Sequence, residues 1–228
     1  MRDNLNIIFE DEYIIVCDKP AGVPTQAGKI TDKDMVSVVN NHIKKADPKA
    51  MAYLIHRLDK PVRGLLVFAK TKQAASELSS QITNGIFDKR YYALIEAMPN
   101  EKEGKLTNYI YKKDNRAYVC EDKDKNKYDA KLAKLEYKII DISDQMKYFN
   151  FFNSYDMTAT NIYLADIHLL TGRFHQIRCQ FGNIGCPIMG DALYGAKEAQ
   201  RNIALVSYSL SFVHPKTKEP KTFVLGSV

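Results

Sequence analysis

His56, Arg57, Leu58 and Asp59 run together, and after Lys60-Pro61-Val62-Arg63 the chain continues Gly64-Leu65-Leu66-Val67-Phe68-Ala69-Lys70. The carboxylate of Asp59 thus follows a basic side chain and precedes a glycine, just ahead of an apolar run that reads as a buried strand. Carboxylates that serve as nucleophiles or bases are often held on loops at strand ends. An Asp before a strand is also an ordinary turn former that bonds its own backbone, so Asp59 alone does not decide between chemistry and structure. A second segment, Leu169-Leu170-Thr171-Gly172-Arg173-Phe174-His175-Gln176-Ile177-Arg178, leads on to Gly185-Cys186-Pro187-Ile188-Met189-Gly190-Asp191-Ala192-Leu193-Tyr194-Gly195.

Taken together, the two segments closely resemble the signatures of the RluA-type RNA pseudouridine synthases, HRLD-x-x-[TS]-[TS]-G-L-L-[LV]-F-A-K and L-x-T-G-R-[TS]-H-Q-I-R followed by G-x-P-[IL]-x-G-D-x-x-Y-G. Asp18-Lys19-Pro20-Ala21-Gly22-Val23-Pro24 is similar to the N-terminal N-K-P-x-G-[LV] of that family, and Lys89-Arg90-Tyr91-Tyr92-Ala93-Leu94-Ile95 to its K-x-Y-x-A-[LI]-[VI]. The resemblance covers nearly the whole chain. It implies a pseudouridine-synthase fold with a central RNA-binding cleft, and detachment, rotation and rejoining of uracil through C5.

The same resemblance assigns site residues. Asp59 is the catalytic carboxylate; attack on the base, attack on C1′ and removal of the 2′ proton all remain open as its action. Burial alone would push its pKa up, and Arg178, matching the basic residue of Q-I-R, is the expected partner that keeps it ionised. The competing reading of Arg178 is a surface ion pair with any nearby acid. Tyr91 is expected to stack on the target base and assist at C5, with Ile177 packing on the uracil. Arg57 is expected to fill the gap that the extruded uridine leaves, since a guanidinium both stacks and donates hydrogen bonds. His56 reads as a structural residue holding the loop, and Lys89 as a phosphate contact or simply the solvated start of a strand. No metal or other cofactor is implied.

The chain departs from the two main signatures after Asp59 and before His175. Val62 and Arg63 replace the usual Thr or Ser, and Phe174 replaces the Thr or Ser ahead of His175. Neither touches a proposed catalytic group, but the added charge of Arg63 is expected to alter RNA contacts. Many relatives also carry an N-terminal S4 RNA-binding domain, and because the signatures start early none is expected here. Site selection is therefore expected to come from the catalytic domain or from RNA shape.

A length of 228 residues suffices for a sizeable core, and one domain over 1–228 is expected. Lys and Arg outnumber Asp and Glu by 33 to 27, giving a net charge of +6 and a pI near 8.9. Such a balance permits a polyanionic partner without requiring one. Cys17, Cys120, Cys179 and Cys186 form no C-x-x-C pair, no secretory segment opens the chain, and no apolar run nears the roughly 20 residues of a membrane span. A cytoplasmic monomer with reduced thiols, acting on structured rRNA or tRNA, is the expectation. His168, His175, Cys179 and Cys186 lack the close pairing of zinc ligands, so packing is their default role.

The elements that must position these residues follow from periodicity. Strands are expected at 13–17, 64–70, 89–97, 104–111, 116–120, 128–142 and 160–170, and helices from Asp32 or Asp34 to Ile43, from Thr71 to Gly85, and from Phe174 to Ile184. Arg178 falls at the border of the last helix's apolar stripe. The charged run 121–127 reads as a solvated hairpin tip, and 149–157 as a loop or hairpin end. Strands and helices without strict alternation indicate an α+β fold with a largely antiparallel sheet and flanking helices. The rival reading is a noncatalytic RNA-binding or ribosome-assembly factor. Retention of Asp59 beside Tyr91 and Arg178 opposes it, because a bare binding surface gains nothing from a carboxylate facing phosphate. A glycosidase would need a second, suitably placed acid, which the sequence does not offer.

Overall fold

The computed structural model describes residues 5–27, 33–140, 151–152, 155 and 161–226. Its contacts divide the chain into two compact units: the first comprises 1–88 and 207–228, the second 89–206.

In the first unit, β1 (Asn6–Glu10) pairs antiparallel with β2 (Ile14–Lys19), which pairs antiparallel with β4 (Arg63–Ala69). The two-residue β3 (Tyr53–Leu54) also joins β4, and β10 (Leu205–Val213) pairs with β11 (Pro220–Val224). Ile14 to Cys17 and Leu65 to Ala69 are all fully buried, which is why both read as unbroken apolar runs. Helix α1 (Met35–Ile43) starts where the Asp34 carboxylate accepts from the Ser37 N–H at 2.7 Å, and buries Met35, Val39 and Ile43. Helix α2 (Lys72–Thr83) starts at Thr71, whose hydroxyl accepts from the Ala74 N–H at 3.1 Å. It buries Ala74, Leu78 and Gln81, and the Gln81 amide both donates to and accepts from the Val213 backbone at 2.8 and 2.9 Å.

The second unit is an antiparallel sheet in the order β5 (Asp88–Ile95), β9 (Tyr163–Leu169), β8 (Lys131–Ile140), β6 (Glu103–Lys113), β7 (Arg116–Cys120). Tyr91 is opposite Ile167, Ile167 opposite Tyr137, and Tyr137 opposite Gly104. Alternation then places Tyr91, Tyr137, Ile110, Ala117 and Ala133 on one face. Helix α3 (Gln176–Asn183) packs there: the Phe181 and Tyr137 rings meet edge to face at 5.6 Å, and Cys179 joins Ile110, Ala117, Ala133 and Tyr194 in one buried cluster.

Two expectations need correction. The 121–127 run is solvated but is no hairpin tip, because β7 and β8 do not pair with each other. Both pair with the long β6, over 109–113 and 103–110 respectively, so the chain from 121 to 130 must cross β6. It does so with a 3-10 turn, Asp122–Asp124, and lays Tyr128 on Tyr111 at 4.4 Å. Arg178 also does not lie at the border of a buried stripe: Gln176 through Phe181 are all buried, and Arg178 is only 6% exposed. The expected loop at 149–157 falls mostly outside the described residues.

Candidate active site

Asp59 sits in the loop ahead of β4, and its neighbours on both sides are tied to the segment after β2. The Thr25 hydroxyl donates to the Leu58 carbonyl at 2.7 Å and accepts from the Leu58 N–H at 3.0 Å. On the other side the Lys60 carbonyl accepts from the Gly22 N–H at 2.8 Å and from the Lys19 ammonium at 3.3 Å. Lys19 is fully buried and also donates to the carbonyls of Pro20 and Val23 at 3.0 and 2.8 Å. Burial pulls its pKa down to about 8, opposed by the attraction of Asp59 and Asp18. A buried ammonium with three carbonyl acceptors thus fixes the loop that carries Asp59. Lys19 and Thr25 were not among the expected site residues; Lys19 lies in the segment similar to N-K-P-x-G-[LV], and Thr25 just beyond it.

Gly64 closes this loop with φ +140°, and a Cβ there would collide with the Ser207 backbone, so only glycine fits. Arg63, expected to bring a new charge to RNA, instead pairs with Asp18 at 2.8 Å. Asp18 stands where the family pattern has Asn, and the two departures neutralise each other. His56 accepts from the Val67 N–H through Nε2 at 3.4 Å, and its ring lies 5.5 Å from that of Phe87. Both contacts fit the structural role. Arg57 is exposed, as a residue that enters RNA must be, and Asp59 is half-buried.

In the second unit, Tyr91 is 4% exposed on β5, on the face that α3 covers, whereas its neighbour Tyr92 points to the opposite face. Lys89 is 7% exposed, with its ammonium beside Gly172, so it is not a solvated strand start. Ile177 is 4% exposed. Arg178 forms a two-pronged ion pair with Asp191, Nε to Oδ2 at 2.7 Å and Nη2 to Oδ1 at 2.9 Å, with Asp191 only 2% exposed. It is therefore no surface bridge. Its guanidinium lies 5.1 Å from the Tyr194 ring centroid. The Tyr194 hydroxyl is 2.9 Å from His175 Nδ1 and accepts from the Ala117 N–H at 2.8 Å. Burial pushes the Tyr194 phenol up to about 12, which keeps it neutral. Asp191 and Tyr194 thus orient Arg178, and sequence reading had assigned neither a role. The Arg178 partner expected from the sequence, Asp59, belongs to the other unit.

Burial likewise raises the Cys17 thiol to about 12 and Cys179 to about 11, which makes both poor nucleophiles. Among the described residues no group of three or more His, Cys, Asp or Glu side chains could hold a metal ion, and no helix is long and apolar enough to cross a membrane.

A family model described as RNA pseudouridylate synthase matches residues 13–183. The chain belongs to the RNA pseudouridylate synthase family. A ribosomal large subunit pseudouridine synthase C of Rickettsia typhi is 32% identical over 193 residues, spanning 84% of this chain and 57% of the relative. A dual-specificity RNA pseudouridine synthase RluA of Vibrio parahaemolyticus is 30% identical over 218 residues, 93% of this chain and 79% of its own. These place the chain with the RluA-type pseudouridylate synthases, although it spans little more than half the length of the type C relatives. Among solved structures, human RNA pseudouridylate synthase domain containing 4 superposes with a TM-score of 0.72 at 19% identity, covering 96% of this chain and 87% of its own. At that identity the match shows the fold: α+β, with a largely antiparallel sheet, as in pseudouridylate synthases.

Proposed function

We propose that this protein is an RNA pseudouridine synthase that isomerises specific uridines of rRNA or tRNA without metal or other cofactor. The reaction breaks the C1′–N1 bond and forms a C1′–C5 bond. The C5 proton is lost and N1 gains a proton, so no external reactant is consumed. In this reading Asp59 supplies the carboxylate that attacks or takes a proton. Arg178, oriented by Asp191 and Tyr194, is the basic residue of the site. Tyr91 and Ile177 contact the uracil, Arg57 occupies the vacated stack, Lys89 meets phosphate, and His56 supports the loop. The observation that carries the reading is the clamp on either side of Asp59, by Thr25 at Leu58 and by Gly22 and Lys19 at Lys60. A turn former needs no such restraint, whereas a group that must meet one atom of a flipped nucleotide does. We further propose that both units form one catalytic domain, 1–228, acting as a cytoplasmic monomer.

The test is incubation of purified protein with total RNA from cells lacking the gene, followed by site-resolved detection of pseudouridine. New pseudouridine at discrete positions supports the proposal. Tight RNA binding with no pseudouridine would favour a noncatalytic assembly factor.

A further inference from the structure

Phe174, the residue that departs from the family pattern, is half-buried, and its position immediately before the N-cap of α3 places it four residues ahead of Arg178. Its ring lies flat on the His175 ring, centroids 3.8 Å apart and planes 17° from parallel. On Phe174 the ammonium of Lys112 sits 4.7 Å from the ring centroid. His175 in turn meets Tyr194, over whose ring the Arg116 guanidinium lies at 5.3 Å. The result is an aromatic cluster in which Phe174 stacks on His175 and His175 meets Tyr194 edge to face, with Lys112 on the Phe174 ring and Arg116 on the Tyr194 ring. Lys112, Arg116 and Arg173 are exposed, and among the described residues none of the three has a carboxylate partner; Arg173 donates instead to the Leu132 carbonyl at 2.9 Å.

Packing explains part of this arrangement, since Phe174 also borders the buried cluster of Ile110, Ala117, Ala133, Cys179 and Tyr194. It does not explain why the outer partner of the ring is a solvated lysine. An exposed ammonium on a phenyl ring is weakly held, and a nucleobase stacked on the same ring is held more strongly. A base can therefore displace Lys112, which then gains a phosphate in exchange. Serine or threonine at this position would offer no ring to stack on.

We propose that Phe174, with Lys112 and Arg116, is a stacking subsite for an unpaired nucleobase flanking the target uridine, with its phosphate held by the two cations. This rests on the RNA-modifying function proposed above and names one determinant of which RNA sites are accepted. Because Arg178 lies one helical turn from Phe174 and against the same Tyr194 ring, the flanking nucleotide would be read next to the reacting one.

The test compares wild type with Phe174→Leu, which keeps the apolar volume, Phe174→Tyr, which keeps the ring, and Lys112→Met. Turnover is followed on total RNA from cells lacking the gene, and binding on a single-stranded RNA carrying 2-aminopurine, whose fluorescence falls on stacking. Phe174→Leu is expected to raise the half-saturating RNA concentration about tenfold and to abolish most of the quench, with an unchanged melting temperature. Phe174→Tyr is expected to restore both, and Lys112→Met to lower the salt slope of binding by about one. An active wild type with Phe174→Leu unchanged in half-saturation and quench would overturn the subsite, as would equal impairment of the Leu and Tyr variants. A wild type that makes no pseudouridine would count against the proposed function, while the aminopurine arm would still judge the subsite.

Discussion

Replacing Asp191 by Ala removes both acceptors of a guanidinium that is itself almost fully buried. The Arg178 to Asp191 contacts are 2.7 and 2.9 Å, and the two side chains are 7% and 2% exposed, so water cannot substitute for the lost carboxylate. Taking one partner from a buried pair of this kind costs about 3 to 5 kcal/mol, because a desolvated charge loses its compensation. Taking both costs far less, since the desolvation of the charge disappears with the charge. The double variant Arg178→Met with Asp191→Leu is therefore expected to regain at least about 2 kcal/mol over Asp191→Ala alone, a coupling well above that of unconnected sites. Urea unfolding followed by circular dichroism measures this. Turnover should separate from stability: both variants should be inactive or nearly so, because each loses the oriented guanidinium. A cost below about 1 kcal/mol for Asp191→Ala, as for an exposed pair, would refute the reasoning. So would a stable double variant that keeps turnover.

Lys19 predicts a pH dependence. Its ammonium is ordinarily lost near 10.5 but here near 8, so as pH rises through about 8 the loop clamp loses one of its N–H donors and turnover should fall reversibly. Global stability should not fall with it: between about 8 and 10.5 the unfolded chain holds the proton that the folded chain has released, so this group makes folding more favourable as pH rises. Lys19→Met should give low turnover without that step, and a wild-type profile flat through pH 9 would contradict the assignment. Gly64→Ala should cost about 3 kcal/mol or more in urea unfolding, because it adds strain at φ +140° to a clash with the Ser207 backbone; a loss under about 1 kcal/mol would contradict it.

Short-range features were readable. The caps at Asp34 and Thr71 bond as their residue types predict, β7 occupies 116–120, and the unbroken apolar runs became strands buried on both faces. Each depends on interactions within a few residues. What was not legible depends on distant partners. Nothing near Lys19 in sequence reveals that its ammonium would reach the carbonyl of Lys60, 41 positions away. Nor does periodicity reveal that Arg178 would be buried, because its acceptor Asp191 lies beyond the helix. The 121–130 crossing was missed because alternation identifies strands but not their neighbours. At the candidate site, the residue types, Asp191 and Tyr194 among them, were apparent from the family signatures, whereas the supporting roles of Thr25, Asp191 and Tyr194 emerged only from the fold.

The central claim, that Asp59 performs chemistry and is not a turn former, is tested most directly by Asp59→Asn. The substitution keeps the shape of the side chain and removes its charge. The RNA from cells lacking the gene, incubated with this variant, should gain no pseudouridine at positions that wild type modifies, while RNA affinity stays equal or rises because one negative charge facing phosphate is gone. Pseudouridine formation by Asp59→Asn at a rate near that of wild type would contradict the account.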